Sequence, residues 1–369
     1  MKKHNKVSIR ILNWRDVKHP LAGGAELSLH EQAKVWMKMG AEVSWYSASW
    51  KNAKKNEIVD GVRVFRMGNQ FTVHFLFLAR YFIHKVPKVD VCIDSFHFIP
   101  YFSPFYIKKE KIYALINEVA GDLWYYNSPK PVAFIGKVME PIIIRAYKKI
   151  PFITASNSTV QELVRIGIPH GHISTVYHGV TVYNPKKNIV KEADPTILFV
   201  NRISQDKGIE DILKIFTQLH KSNKRIQLWI AGKEENEGLL RELLQKYNIQ
   251  KKVQYFGFVS ESQKFNLMKR AWILVHPSRK EGWGLTVIEA ASQGTPSVGY
   301  DVEGLRDSIQ NEKTGLLVTS NSEGLLSGIQ KLLSDSTLRG TLAKNAIVWS
   351  QKFSWKNAGE KSWKIIYGS

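Results

Sequence analysis

The chain has 369 residues, enough for two domains that each bury a sizeable core. An apolar content of 44% argues against disorder. The formal net charge of +21 points to phosphates, anionic lipids or nucleic acid as partners, but no nucleic-acid-binding module is recognisable, so nucleic acid is not the expected partner. The single cysteine, Cys92, excludes an internal disulfide and a cysteine-rich metal site. It sits in the run Val91-Cys92-Ile93 and reads as a buried, inert thiol of a reducing compartment. The start of the sequence is basic but has no apolar run of signal-peptide length, and no segment approaches the roughly 20 apolar residues of a membrane span. The protein is expected in the cytoplasm, peripherally at the inner face of the membrane.

In chain order, residues 7–12 read as a strand, 13–24 as a loop ending in Gly23-Gly24, and 25–39 as a helix stopped by Gly40. A glycine pair at a strand-to-helix turn lets a phosphate or an acceptor come close, and it is equally a plain tight turn. Residues 42–47 and 62–66 read as strands, with a lysine-rich loop over 50–56. A helix rich in aromatics and bases covers 71–85, and strands follow at 90–94 and 111–117. The segment 117–130, NEVAGDLWYYNSPK, is a loop expected to face the site, with Glu118 its candidate acid. A second helix mixing apolar and basic residues covers 132–149. Such helices are core and solvated faces in most proteins, and they also suit an anionic membrane surface. Residues 152–155 form a strand and 157–166 a helix capped by Ser156 or Asn157.

Residues 181–194 are polar, basic and aperiodic, as a linker would be. A new alternation then begins, with a strand at 196–200, the loop Asn201–Gly208 and a helix over 209–220. Arg202 and Lys207 sit at the mouth of that turn. An arginine can grip a phosphate with two hydrogen bonds and a lysine adds a point charge, although an isolated pair is more often two surface cations. Strands follow at 227–231 and 253–256, with a helix between them from about 237 to 247. Then comes AWILVHPSRKEGWGLTVIEAASQGTPSVGY, residues 271–300: a buried strand, a glycine loop, a helix over 285–293 stopped by Gly294, and another strand. The helix start near Gly284 offers free N–H groups and a positive dipole end, which suits a diphosphate. Glu281 precedes it, and Glu289 lies more than one turn inside, with a carboxylate able to accept two hydrogen bonds, as from a ribose diol.

HPSRKEGWGLTVIEA, residues 276–290, resembles the signature of retaining glycosyltransferases of family four. The resemblance implies a GT-B fold: α/β, two Rossmann-like doubly wound parallel-sheet domains facing a cleft. It implies an amino-terminal acceptor domain over 1–182, a linker over 183–195, a nucleotide-sugar domain over 196–350, and a last helix over 351–369 crossing back to the first domain. Gly23 and Gly24 match the family's acceptor or phosphate loop, with Glu26 beside them. Arg202 and Lys207 match the cations that hold the donor diphosphate. Gly257-Phe258-Val259 matches the segment against the nucleobase. Glu289 would bind the ribose. Glu281, with the backbone of Gly282, Trp283, Gly284 and Leu285, would orient the donor sugar. His178 stands where the family has an asparagine, and Glu303–Asp307 is an incomplete copy of a further family turn. Glu118 occupies the loop where many members carry a histidine, and is the candidate for activating the acceptor.

The implied activity is transfer of a hexose from a UDP- or GDP-sugar to a glycan or lipid-linked acceptor, with retention and with neither metal nor added cofactor. A sugar-nucleotide epimerase or a sugar phosphorylase would share the architecture but not this spacing. A dehydrogenase would want Gly-x-Gly-x-x-Gly after the first strand, and that is absent. A plain lipid or nucleic-acid binder would explain the charge but not the concentration of phosphate-binding features.

Overall fold

The computed structural model describes residues 6–181, 183 and 189–368. Residues 182 and 184–188, part of the expected linker, lie outside the described residues. The chain divides into two compact units: residues 6–124, 128–179 and 354–368 in one, and 125–127 and 180–353 in the other.

The first unit is built on an eight-stranded sheet. Its strands are β1 (Ser8–Leu12), β2 (Glu42–Ser47), β3 (Asn56–Val59), β4 (Val62–Arg66), β5 (Val91–Phe96), β6 (Lys111–Ile116), β7 (Phe152–Thr154) and β8 (Ile173–Thr175), in the order β3-β4-β2-β1-β5-β6-β7-β8. All neighbours are parallel except β3 and β4. Ile9 and Ile11 of the central β1 are fully buried, as expected of a strand covered on both faces. The antiparallel edge departs from the sequence reading, which ended its lysine-rich loop at residue 56. Asp60 and Gly61 both take positive φ, 49° and 90°, and so form the tight turn that brings β3 back onto β4. The Asp-Gly pair between two apolar runs was the signal for it. Helix Trp355–Tyr367, at the far end of the chain, completes this unit by packing on helix Gly24–Lys38. Gly359 lies so close to Val35 that an added Cβ would stand 2.4 Å from the valine's Cβ. Trp36 Nε1 donates to Ser362 Oγ at 2.9 Å.

The second unit has six parallel strands: β9 (Thr196–Val200), β10 (Gln227–Ala231), β11 (Val253–Tyr255), β12 (Ile273–His276), β13 (Ser297–Tyr300) and β14 (Gly315–Val318). Their order is β11-β10-β9-β12-β13-β14. The first strand of the unit therefore lies beside its fourth, and the chain runs outward from that junction in both directions. In such sheets ligands bind outside the carboxyl ends of the strands at this switch point. The apolar runs read from the sequence are the fully buried strands here: Ile197, Leu198, Ile273 and Leu274 have no exposure.

Candidate functional site

The loops leaving β9 and β12 meet at the switch point of the second unit. Gly208, at φ 71°, closes the first loop against the second. A Cβ at Gly208 would lie 2.1 Å from the Pro277 carbonyl oxygen, so only glycine lets the two backbones pass this closely. Gly304 does the same from the loop after β13: at φ 74°, its Cβ would lie 2.1 Å from the Glu281 carbonyl oxygen. The backbone of Glu281 is thus held from behind. The loops after β10 and β11 join in, since Gly232 N donates to Gly257 O at 2.9 Å and Ile203 N donates to Lys233 O at 2.9 Å.

This packing brings Lys207 and Glu281 into contact, with Nζ 2.7 Å from Oε1. His276 Nε2 lies 3.8 Å from the same carboxylate oxygen, and the His276 Nδ1 stands 3.1 Å from Ser278 Oγ. Burial alone would push the Glu281 carboxyl up. The Lys207 ammonium, His276 and a hydrogen bond from Ser278 outweigh it and hold the group at about 2, so it is ionised at neutral pH. His276 is held below its ordinary value, by burial first, with Glu281 opposing. Asp206 extends the cluster, 3.8 Å from Lys207 Nζ and 3.6 Å from Arg202 Nη2. Arg202 also pairs with Glu235 at 2.9 Å and stays half exposed. Asp206 and Glu235 escaped the sequence reading because nothing local marks them.

Glu289 sits within helix Leu285–Ser292, which Gly284 opens at φ 83°. It is 3% exposed. Its Oε1 accepts from Lys264 Nζ at 2.8 Å, and Lys264 also reaches Glu261 at 2.9 Å. Burial raises the Glu289 carboxyl, with Lys264 opposing. Its second oxygen, Oε2, is buried with no hydrogen-bond partner. A buried carboxylate oxygen left unpaired costs about 1–3 kcal/mol or more and calls for a donor. Lys264 was not singled out from sequence, although its helix, Glu261–Arg270, follows directly on the Gly257–Val259 turn. Phe258 is 84% exposed, a ring open to solvent beside that turn, and Gly257 takes φ 68°. Trp283 behaves otherwise. Its ring is buried against Phe353 at 5.1 Å between centroids, which leaves its backbone as the part that could serve a ligand. Gly282 and Gly284 are buried and Leu285 is half buried.

The candidates of the first unit are set in their own frame. Gly23 N donates to Glu26 Oε2 at 2.8 Å, and buried Glu26 pairs with Arg15 at 3.1 Å. Gly23 has an extended φ of −137° and Gly24 opens the helix, so the turn needs no left-handed residue. An added Cβ at Gly23 would meet nothing nearer than 3.9 Å, so the protein's own packing does not demand glycine there. Glu118, half buried, follows Asn117 at the end of β6. The loop beyond is held by Glu140, whose carboxylate accepts from Ala120 N at 2.7 Å and Gly121 N at 2.8 Å. Glu140 is the one acid in helix Lys130–Ala146, and its isolation among apolar residues was the available signal. His178 is buried, with Nε2 3.3 Å from Asn117 Oδ1, and burial lowers it to about 4. It is neutral at pH 7 and ties its turn to the Asn117 loop. Among the described residues, no group of three or more His, Cys, Asp or Glu side chains is placed to hold a metal ion. No described helix is long and apolar enough to cross a membrane.

Comparison with known proteins gives two family matches. The Glycosyltransferase Family 4 model matches residues 22–182, and the Glycosyl transferases group 1 model matches residues 183–349. An uncharacterized glycosyltransferase of Methanocaldococcus jannaschii is 25% identical over 96% of this chain and 97% of its own length. The sucrose-phosphate synthase of Thermosynechococcus elongatus has the same fold, with a TM-score of 0.83 at 19% identity over 97% of this chain and 98% of that one. HepE of Anabaena, solved in complex with UDP and glucose, matches at a TM-score of 0.74 and 16% identity over 98% of this chain and all of that one.

Proposed function

Because its two halves belong to the Glycosyltransferase Family 4 and Glycosyl transferases group 1 families, the chain is a glycosyltransferase of GT-B fold, and we propose that it moves a hexose from a nucleotide-sugar to a hydroxyl of a glycan or lipid-linked acceptor with retention of configuration. The observation that carries the donor reading is the unpaired Oε2 of buried Glu289, one turn into the helix that Gly284 opens. A ribose hydroxyl is a donor of the right kind for it. UDP is the nucleotide favoured, since the Anabaena HepE was solved with it.

In this reading the bond between the anomeric carbon and the diphosphate oxygen breaks, and the acceptor oxygen bonds to that carbon on the same face. Arg202, Lys207 and the N–H groups at the start of helix Leu285–Ser292 neutralise charge growing on the leaving diphosphate. The acceptor proton passes to a phosphate oxygen of the leaving group. Glu281, ionised, accepts hydrogen bonds from sugar hydroxyls. Its partner Lys207 is then shared between the carboxylate and the diphosphate. Phe258 and the backbone of Gly257 and Val259 take the base. Gly23 and Gly24 leave room at the acceptor turn, and Glu118 binds or activates an acceptor hydroxyl.

The test is a thermal-shift screen of UDP, GDP, ADP and their sugar conjugates, with Glu289→Ala and Arg202→Ala beside the wild type. A ligand at a hundred times its dissociation constant adds about 2.7 kcal/mol of stability. One nucleotide should raise the melting temperature of the wild type and of neither variant. Absence of any shift sinks the donor reading.

A further inference from the structure

Helix Lys130–Ala146 is apolar on both of its sides. At 100° per residue, Ala133, Glu140 and Ile144 share one side, and all three are buried. Val132, Phe134, Ile135, Val138, Met139 and Ile142 fall on the opposite side, and all six are exposed, Phe134 and Ile135 at 61% each. An all-round apolar helix belongs in a core or against lipid, and this one has a core on one side only. Its charges have one sign. Lys130, Lys137 and Arg145 lie on it, Lys148 and Lys149 follow it, and its single acid, Glu140, is turned inward. Asp122, an exposed acid of the preceding segment, is taken by Lys137.

A second strip continues the first. Helix Val73–Phe82 exposes Phe75 at 73%, with Leu76, Phe82 and Ile83, beside Arg80 and Lys85. The segment after β5 joins the two helices. Its neighbours Tyr106 and Phe105 reach one helix end each: the Tyr106 ring lies 6.2 Å from Phe82, and the Phe105 ring lies 6.1 Å from Tyr147, the residue capping helix Lys130–Ala146. Phe105 is itself exposed. The segment is fixed from below by Asp94, which accepts from Tyr101 N at 2.8 Å, Ser103 N at 2.9 Å and Tyr147 OH at 2.8 Å.

We propose that this band is a docking surface for an anionic lipid bilayer, with helix Lys130–Ala146 lying in the plane of the headgroups and Phe134, Ile135 and Ile142 in the acyl boundary. A helix with a cationic fringe and aromatic or aliphatic residues on its solvent-facing side binds in this way. At 17 residues the helix is about 25 Å long, sufficient to lie on a bilayer and not to span it. A second copy of the chain is the poorer occupant, because a two-fold contact would set the same cations against each other. The inference rests on the helix faces and is independent of the donor site.

Co-flotation with phosphatidylcholine vesicles, with and without phosphatidylglycerol, tests it. The wild type should float with the anionic vesicles, less at high salt, and not with phosphatidylcholine alone. Phe134→Ser/Ile135→Ser and Lys148→Glu/Lys149→Glu should each weaken binding by about tenfold or more, with the melting temperature and transfer to a soluble acceptor unchanged. No flotation of the wild type, or flotation indifferent to Phe134→Ser/Ile135→Ser, overturns the proposal. So does a concentration-dependent dimer that the same serine variant abolishes, since the face would then belong to a second copy.

Discussion

Lys207 and Glu281 show how one contact sets the chemistry of a residue. Glu281 would be pushed up by burial, and Lys207 leads the groups that hold it at about 2. Its depressed value gives stability that is present above the ordinary carboxylate range and is lost as pH falls through about 2. Lys207→Met should therefore move the acid limb of the pH profile of kcat/KM upward, and should cost about 3 kcal/mol of stability by leaving a buried carboxylate short of its partner. An unmoved acid limb in Lys207→Met would separate Glu281 from the transfer step. His178 gives the opposite test, since it lies outside the donor site. Its folded value near 4 lies below the 6.5 of an exposed histidine, so its contribution is whole above 6.5 and is lost as pH falls from there toward 4. His178→Gln should flatten the melting temperature over that window while keeping the hydrogen bond to Asn117, because a glutamine amide reaches the place of Nε2. The candidate side chains stand out in the sequence because motif spacing marks them. Their partners do not. Lys264, Glu235 and Glu140 lie far along the chain or in bland surroundings, and only the order of strands and loops brings them to Glu289, Arg202 and the 120–121 backbone, while Asp206 shares the loop of Arg202 but carries no motif of its own.

Elements were more legible than contacts. The buried β-branched runs at 196–200, 227–231 and 273–276 are strands because parallel strands covered on both faces read as continuous apolar runs. Helix ends were legible where chemistry marks them: Ser156 accepts from Thr159 N to open helix Asn157–Ile166, and Gly167 closes it at φ 108°. The short edge strand β3 was lost among lysines, although Asp60-Gly61 announced its turn. What no local pattern conveys is how tightly loops from different strands meet. Gly304 was noted only as part of an incomplete motif, yet it supports the backbone of Glu281. Gly304→Ala must move that backbone or strain its own, at a cost of about 2 kcal/mol or more. Turnover should fall by a larger factor than melting temperature suggests, which steady-state kinetics beside a thermal melt would show. Equal, small losses in both would mean that the loop tolerates the shift.

At the scale of the molecule, the first unit is discontinuous. The chain leaves it after Gly179 and returns at Ser354. Helix Trp355–Tyr367 then covers Val35 and Trp36, and Tyr113 OH donates to Ile365 O at 2.9 Å. Removal of residues 354–369 should melt the first unit early while the second keeps its own transition, so a single melt should become two. One unchanged transition would show that this helix is dispensable. Alternation of strands and helices made the two α/β units legible, since each repeats the strand–helix–strand unit of a parallel sheet. The same discontinuity orders events on the ribosome. At about 5–20 residues per second, the first unit emerges and then waits on the order of ten seconds or more, until all of the second has been made. Throughout that interval the surface around Val35 and Trp36 lacks its cover, so the half that is translated first is the half that finishes folding last.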